Sequence, residues 1–161
     1  MPRFAVFPGS FDPFTLGHLD VLRSALRLFD GVVVAVGYNV QKSGLFSPEA
    51  RVEMIKIAVA AFPNVEVSSY TGLTVDFCTS RNIPFIIRGL RTTTDFELEQ
   101  VIAQANHKMA PDIVTVFIPA GPGFSFISST VVRDVLLNGG DVRQFIPNGI
   151  DLTNYITPSA V

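Results

Sequence analysis

The residues Pro8-Gly9-Ser10-Phe11-Asp12-Pro13, followed by Thr15-Leu16-Gly17-His18, stand between an apolar strand-like run and an amphipathic helical one. Their types and spacing suit the holding of an anion. A glycine at position 9 lets backbone come close to a phosphate with no side chain between. Gly17 and His18 open the predicted helix, where unpaired N–H groups and the positive end of the dipole favour negative charge. An imidazole there can donate a hydrogen bond to a phosphoryl oxygen and keep its proton. Alone, Gly9 and Gly17 read as turn residues and His18 as a helix cap; the whole stretch together carries the anion reading. The commoner signatures are absent: there is no G-x-x-x-x-G-K-[ST], no G-x-G-x-x-G and no G-x-S-x-G. P-loop hydrolysis, dinucleotide redox chemistry and a serine-hydrolase elbow are therefore not suggested.

Other residues with chemical capacity are more ambiguous on their own. Arg88-Gly89-Leu90-Arg91 follow a short apolar run, and spacing alone divides evenly between solvated loop arginines and anion ligands. Lys42 lies in a polar loop and by itself reads as a solvated lysine. Glu99 reads as an exposed helical acid, and Ser128, Ser129 and Thr130 as helix-capping residues. His107 and Lys108 close a helix, where cations are favourable without further purpose. Cys78 lies in an apolar helical stretch as a small core residue, and a lone cysteine excludes an internal disulfide. With His18 and His107 the only histidines, a multi-ligand zinc site has almost no material.

The elements that must position these residues alternate. Strands are predicted over 3–8, 32–37, 65–68, 84–87 and 113–118. The intervening segments carry helical periodicity. Leu22, Ala25, Leu26 and Phe29 share one face within 17–29. Ser47-Pro48 opens a helix bearing Val52, Ile55, Val59 and Phe62. A third helix covers 73–81. Thr94-Asp95-Phe96-Glu97 reads as a capping box for a helix striped with Leu98, Val101, Ile102, Ala105 and Met109. Ser128 caps a last helix that stops before Gly139, a C′ glycine. From about residue 147 the signal fades into a short helical or irregular tail. This is an α/β pattern: a Rossmann-like, doubly wound parallel sheet of five strands in the order 3-2-1-4-5, helices on both faces, one domain over 1–161. Ligands bind such sheets where the strand order reverses, here between strands one and four. The segments after Phe7 and after Ile87 meet there.

Nearly half the residues are hydrophobic and 16% are charged, which excludes disorder. A mean hydropathy of +0.40 points to a sheet covered on both faces or to surface covered by other subunits. Apolar runs fall well short of the roughly 20 residues of a membrane span. The opening Met1-Pro2-Arg3-Phe4 runs into a strand without a signal peptide, so a cytoplasmic location is expected. A net charge of −2 with scattered cations argues against nucleic acid as a partner.

Gly9-Ser10-Phe11-Asp12-Pro13 with Thr15-Leu16-Gly17-His18 resembles the first signature of the nucleotidyltransferase α/β superfamily, and Ile127-Ser128-Ser129-Thr130-Val131-Val132-Arg133 its second. Within it the chain resembles the phosphopantetheine adenylyltransferases over nearly its whole length, including Lys42, Arg88 to Arg91, Asp95-Phe96-Glu97 and Gly140-Asp141-Val142. The resemblance implies adenylyl transfer from ATP to 4′-phosphopantetheine, giving dephospho-coenzyme A and pyrophosphate in coenzyme A synthesis. It implies His18, Lys42 and Arg91 as catalytic residues, and Ser10, Lys42, Thr74 and Arg88 on the pantetheine substrate. ATP would meet Ser10, Phe11, His18, Gly89, Leu90, Arg91, Glu99 and the run Phe124, Ser125, Phe126, Ile127, Ser128, Ser129 and Thr130. Mg2+ is implied as cofactor, held mainly by phosphates and water rather than by protein ligands. A homohexamer and feedback binding of coenzyme A are further implications. The chain departs from the family pattern at Leu98, where tyrosine is usual, at Ser10, Thr130 and Arg133, and in the tail 153–161. Nicotinamide mononucleotide adenylyltransferases share the first signature and are the nearest rival, with cytidylyltransferases behind. A catalytically silent nucleotide-binding regulator is the alternative from another class.

Overall fold

Strand β1 (Phe4–Gly9) is the middle strand of a five-stranded parallel sheet. In the computed structural model, which describes residues 1–156, β1 is followed by α1 (Leu16–Ala25), β2 (Gly31–Gly37), α2 (Pro48–Ala58), β3 (Val65–Tyr70), α3 (Thr74–Ser80), β4 (Phe85–Leu90), α4 (Thr93–Met109), β5 (Val114–Pro119) and α5 (Ser129–Leu137). A 3₁₀ turn, Leu152–Tyr155, follows. The sheet order is β3-β2-β1-β4-β5, as the alternation of elements predicts.

The register explains the composition of the strands. β1 pairs with β2 from Phe4↔Gly31 to Gly9↔Val36, and the Val32–Val36 run is buried on both faces. Ala5, Phe7, Val32, Val34 and Ile87 pack against α1 and α2, while Val6, Val33, Ala35 and Ile86 pack against Val75 and Cys78 of α3. A strand covered on both sides has no polar alternation to show. Cys78 is fully buried, and burial pushes its thiol up to about 11, so it is an inert core residue. A third cluster joins Phe46, Met54, Val132, Val142, Ile146 and Leu152, which fastens the segment after α5 to α2.

Ser47 accepts from the Ala50 amide with Pro48 at the first helical position, and Ser128 accepts from Val131 N, as the sequence suggests. Gly139 has φ +76°, the left-handed backbone that follows a helix. Several boundaries differ: α1 ends at Ala25, short of Phe29, and β3 runs on to Tyr70. Thr92, not Thr94, caps α4, with Asp95 closing the capping box. β4 runs to Leu90 instead of ending at Ile87, because Arg88, Gly89 and Leu90 pair with Phe117, Ile118 and Pro119 of β5. The apolar stripe of α4 is largely open: Leu98 and Val101 are more than 60% exposed.

Candidate active site

The C-terminal ends of β1 and β4 diverge around a cavity of about 330 Å³, and His18 stands in its wall. Thr15 caps α1, and its hydroxyl accepts from the His18 amide at 3.3 Å. In return the Thr15 amide donates to His18 Nδ1 at 3.0 Å. A ring nitrogen that accepts a backbone N–H carries no proton, so this pairing assigns the neutral ring's hydrogen to Nε2. Phe11 meets the imidazole edge-on at 4.9 Å between centroids, and Phe14 lies at 5.4 Å. Desolvation by this setting, reinforced by the Arg88 and Arg91 charges, pushes the histidine down to about 3. His18 is therefore a neutral, one-tautomer donor at the N-terminus of a helix.

Gly9 lines the cavity and has a second reason to be glycine. A Cβ there would come within 2.9 Å of the Phe11 ring, so the glycine makes room for an aromatic side chain. Phe11 itself has φ 48° and is 2% exposed, so the ring is packed beneath the loop. Ser10 is exposed at its crest.

Arg88 belongs to β4 and not to the loop beyond it. Its Nε and Nη2 donate to the two carboxylate oxygens of Glu99 at 2.7 and 2.6 Å, and Nη1 donates to Pro8 O at 2.7 Å. That fork-to-fork pairing fixes the guanidinium plane and leaves two N–H groups uncommitted. Glu99 is accordingly no exposed helical acid: it is 9% exposed and faces inward from α4. Arg91 is exposed and paired with Asp95, whose carboxylate also accepts from the Arg91 amide. Gly89 allows α1 to lie close on β4, since a Cβ would stand 2.8 Å from Val21 Cγ2.

The wall opposite comes from Ile127, Ser128, Ser129 and Thr130 at the start of α5. Ser128 caps the helix, and Ser129 Oγ donates to Pro13 O at 2.7 Å. Phe124, Ser125 and Phe126 precede this wall and do not line the cavity. A second cavity, about 580 Å³, opens beside the first between the ends of β1, β2 and β3. Pro8, Gly9, Ser10 and Arg88 line both. Thr74, at the first position of α3, lines the second and is bonded to the Tyr70 hydroxyl at 2.7 Å. Lys42 is exposed in the loop after β2 and lines neither.

Two adjoining cavities with a shared basic wall fit two anionic reactants held side by side. Residues 6–135 match the cytidylyltransferase-like family model. A phosphopantetheine adenylyltransferase of Leptospira biflexa is 46% identical over 148 residues, covering 92% of both chains. One from Lachnoclostridium phytofermentans is 45% identical over 148 residues, covering 92% of this chain and 91% of its own. The chain belongs to the phosphopantetheine adenylyltransferases. A bifunctional NMN adenylyltransferase/ADP ribose pyrophosphatase from Francisella tularensis shares the fold, with TM-score 0.68 and 19% identity, over 91% of this chain and 45% of that longer one.

For a phosphopantetheine adenylyltransferase, the cavities of this chain include residues whose sequence context carried little signal. Arg133 lines the first cavity, with Nη1 on Asp12 O at 2.7 Å and Nη2 on Thr130 Oγ1 at 3.3 Å. Its place at the end of the second signature was the available clue. Tyr70, Tyr38 and Asn39 line the second cavity. They could have been found from their position at the carboxyl ends of strands, where such sheets bind ligands.

Proposed function

We propose that this chain transfers the adenylyl group of ATP to 4′-phosphopantetheine, releasing pyrophosphate and dephospho-coenzyme A. The single observation that carries this reading is the pair of adjoining cavities divided by Pro8 to Ser10 and Arg88, in a chain whose relatives bear that enzyme's name. The nucleotide occupies the His18 cavity and the phosphopantetheine the Thr74 cavity. A phosphate monoester is already ionised, so the reaction requires no strong base. A phosphopantetheine phosphate oxygen attacks the α-phosphorus of ATP, the bond to the β-phosphate bridging oxygen breaks in line, and pyrophosphate leaves.

The residues meet the electrostatic need of that step. His18 Nε2–H faces the first cavity and donates to an α-phosphate oxygen as charge builds there. The two free N–H groups of Arg88 draw the monoester toward the dividing wall. The amides opening α5 and the hydroxyls of Ser129 and Thr130 hold the triphosphate, with Arg91 and Lys42 adding positive charge. Magnesium bound with the nucleotide would neutralise phosphate charge. Asp95 and Glu99, the carboxylates facing the cavity, are each already engaged by an arginine, which leaves its ligation to phosphate oxygens and water. No helix among the described residues is long and apolar enough to cross a membrane, and a cytoplasmic location is part of this proposal. We further propose a homohexamer with coenzyme A as a feedback ligand.

The test is to supply purified protein with ATP, magnesium and 4′-phosphopantetheine and to measure pyrophosphate and dephospho-coenzyme A. Parallel reactions replace the acceptor by nicotinamide mononucleotide, or ATP by CTP. Product from ATP and phosphopantetheine alone is expected. Turnover of nicotinamide mononucleotide instead would move the substrate, and ATP binding without turnover of either would make the chain a regulator.

A further inference from the structure

Arg51 and Asp12 form a buried ion pair that touches neither cavity directly. Arg51 is 5% exposed and Asp12 7%, and Arg51 Nε lies 3.5 Å from Asp12 Oδ1. Burying two charges is costly unless both are fully hydrogen-bonded, and here they are bonded outward to backbone. Asp12 accepts from the amides of Leu45 and Phe46, both at 2.9 Å. Arg51 donates from Nε to Phe46 O at 2.8 Å and from Nη1 to Ser10 O at 3.1 Å. Gly44 completes the arrangement, since a Cβ there would land on the Arg51 guanidinium and the Asp12 carboxylate.

These bonds join two loops that are far apart in sequence. One is the turn after β1, whose Ser10 separates the two cavities. The other is the loop after β2, which supplies Tyr38, Asn39 and Val40 to the second cavity and carries Lys42. Leu45 and Phe46 are its fixed end: the Phe46 ring is 1% exposed in the cluster with Met54 and Val132. A cavity-lining loop anchored to the wall of the neighbouring cavity cannot move without it.

We propose that the Asp12–Arg51 pair is a positioning device that sets the distance between the two substrate cavities by fastening the loop after β2 to the Ser10 turn. The inference rests on the two-cavity reading of the reaction. Each reactant binds mainly within its own cavity, so disturbing the pair leaves single-ligand affinities largely intact. What is lost is the in-line approach of one phosphate to the other, which depends steeply on a displacement of an ångström or less.

The test uses two variants of the whole chain. Arg51→Lys keeps the charge and removes the fork that spans Phe46 O and Ser10 O. Gly44→Ala keeps both charged side chains in the sequence and displaces them from an exposed loop. Thermal melts establish the folded fraction, calorimetric titration gives the affinity for ATP and for 4′-phosphopantetheine separately, and steady-state assays give kcat. The expected result is a fall in kcat of at least about tenfold in both variants, with each single-ligand affinity within about threefold of wild type. A folded variant with wild-type kcat overturns the proposal. So does a loss of kcat that only tracks the folded fraction, or one explained by weakened binding of a single ligand. Failure of the two-cavity reading itself is distinguishable, because then wild type would show no transfer to phosphopantetheine. In that event hydrogen exchange at the Leu45 and Phe46 amides decides: exchange unchanged by Arg51→Lys means that the pair does not hold the loop.

Discussion

At the scale of single residues, His18 shows how a backbone contact decides the chemistry of a side chain. The Thr15 amide occupies Nδ1, so the imidazole, which lines the cavity, has one donor left. His18→Ala should fold and bind ATP yet turn over at least about a hundredfold more slowly, the scale of a lost oxyanion-type donor. Steady-state assays beside ATP titration would check this, and near-normal kcat would remove the residue from the mechanism. The same burial links the residue to stability. With the folded histidine held down to about 3, the unfolded chain alone takes up this proton as pH falls below the ordinary value of 6.5. Stability from this group is complete above that value and is lost on acidification toward 3, at about 1.4 kcal/mol per pH unit in the middle of the window. Urea melts at pH 5.5 and 4.5 should show this slope in wild type and a shallower one in His18→Asn; equal slopes would mean that the ring titrates freely in the folded protein.

At the scale of elements, the site depends on how closely α1 lies on β4. Gly89 is where they touch, and an alanine would put its methyl 2.8 Å from Val21 Cγ2, in a side chain that is 4% exposed. Gly89→Ala should cost about 1–3 kcal/mol, read from denaturant midpoints, as overpacking does. It should also lower kcat, because α1 carries His18 while β4 carries Arg88; unchanged stability would show that the helix yields without strain. The order of strands and the caps at Ser47 and Ser128 were legible in the sequence because each rests on local pattern: apolar runs, Ser-Pro, a serine before a periodic stretch. What was not legible rests on partners distant in the chain. The apolar run of β4 ends at Ile87 and a glycine follows Arg88, yet β5 supplies a register through Leu90. Glu99 reads as a surface acid until the fold brings Arg88 to it. Lys42 could be suspected from resemblance, but here it stands in solvent beside the cavities. Arg51 gave no sign, since a charged residue in the first turns of a helix is ordinary and its burial follows only from the packing of two loops.

At the scale of the molecule, the high mean hydropathy is only partly absorbed by the sheet. α4 has helical apolar periodicity, and a single chain leaves much of it uncovered: Leu98 and Val101 are 62% and 63% exposed, with Ile102, Met109 and Phe96 each at least 40%. A stripe with a core-like pattern that no element among the described residues covers is what a contact with another copy looks like. It also runs along the helix that delivers Glu99 to Arg88, so a neighbour packed on it would stiffen the support of the dividing wall. If the protein is a hexamer, this face is the first place to disrupt it. Leu98→Glu combined with Val101→Glu puts like charges on the stripe without touching the buried side of α4. Sedimentation at micromolar concentration should show six subunits in wild type and smaller particles in the double variant, with far-ultraviolet circular dichroism unchanged. A double variant that still sediments as the wild-type particle would place the interface elsewhere. A wild type that sediments as one subunit would mean that α4 meets water, and that the hydropathy has another origin.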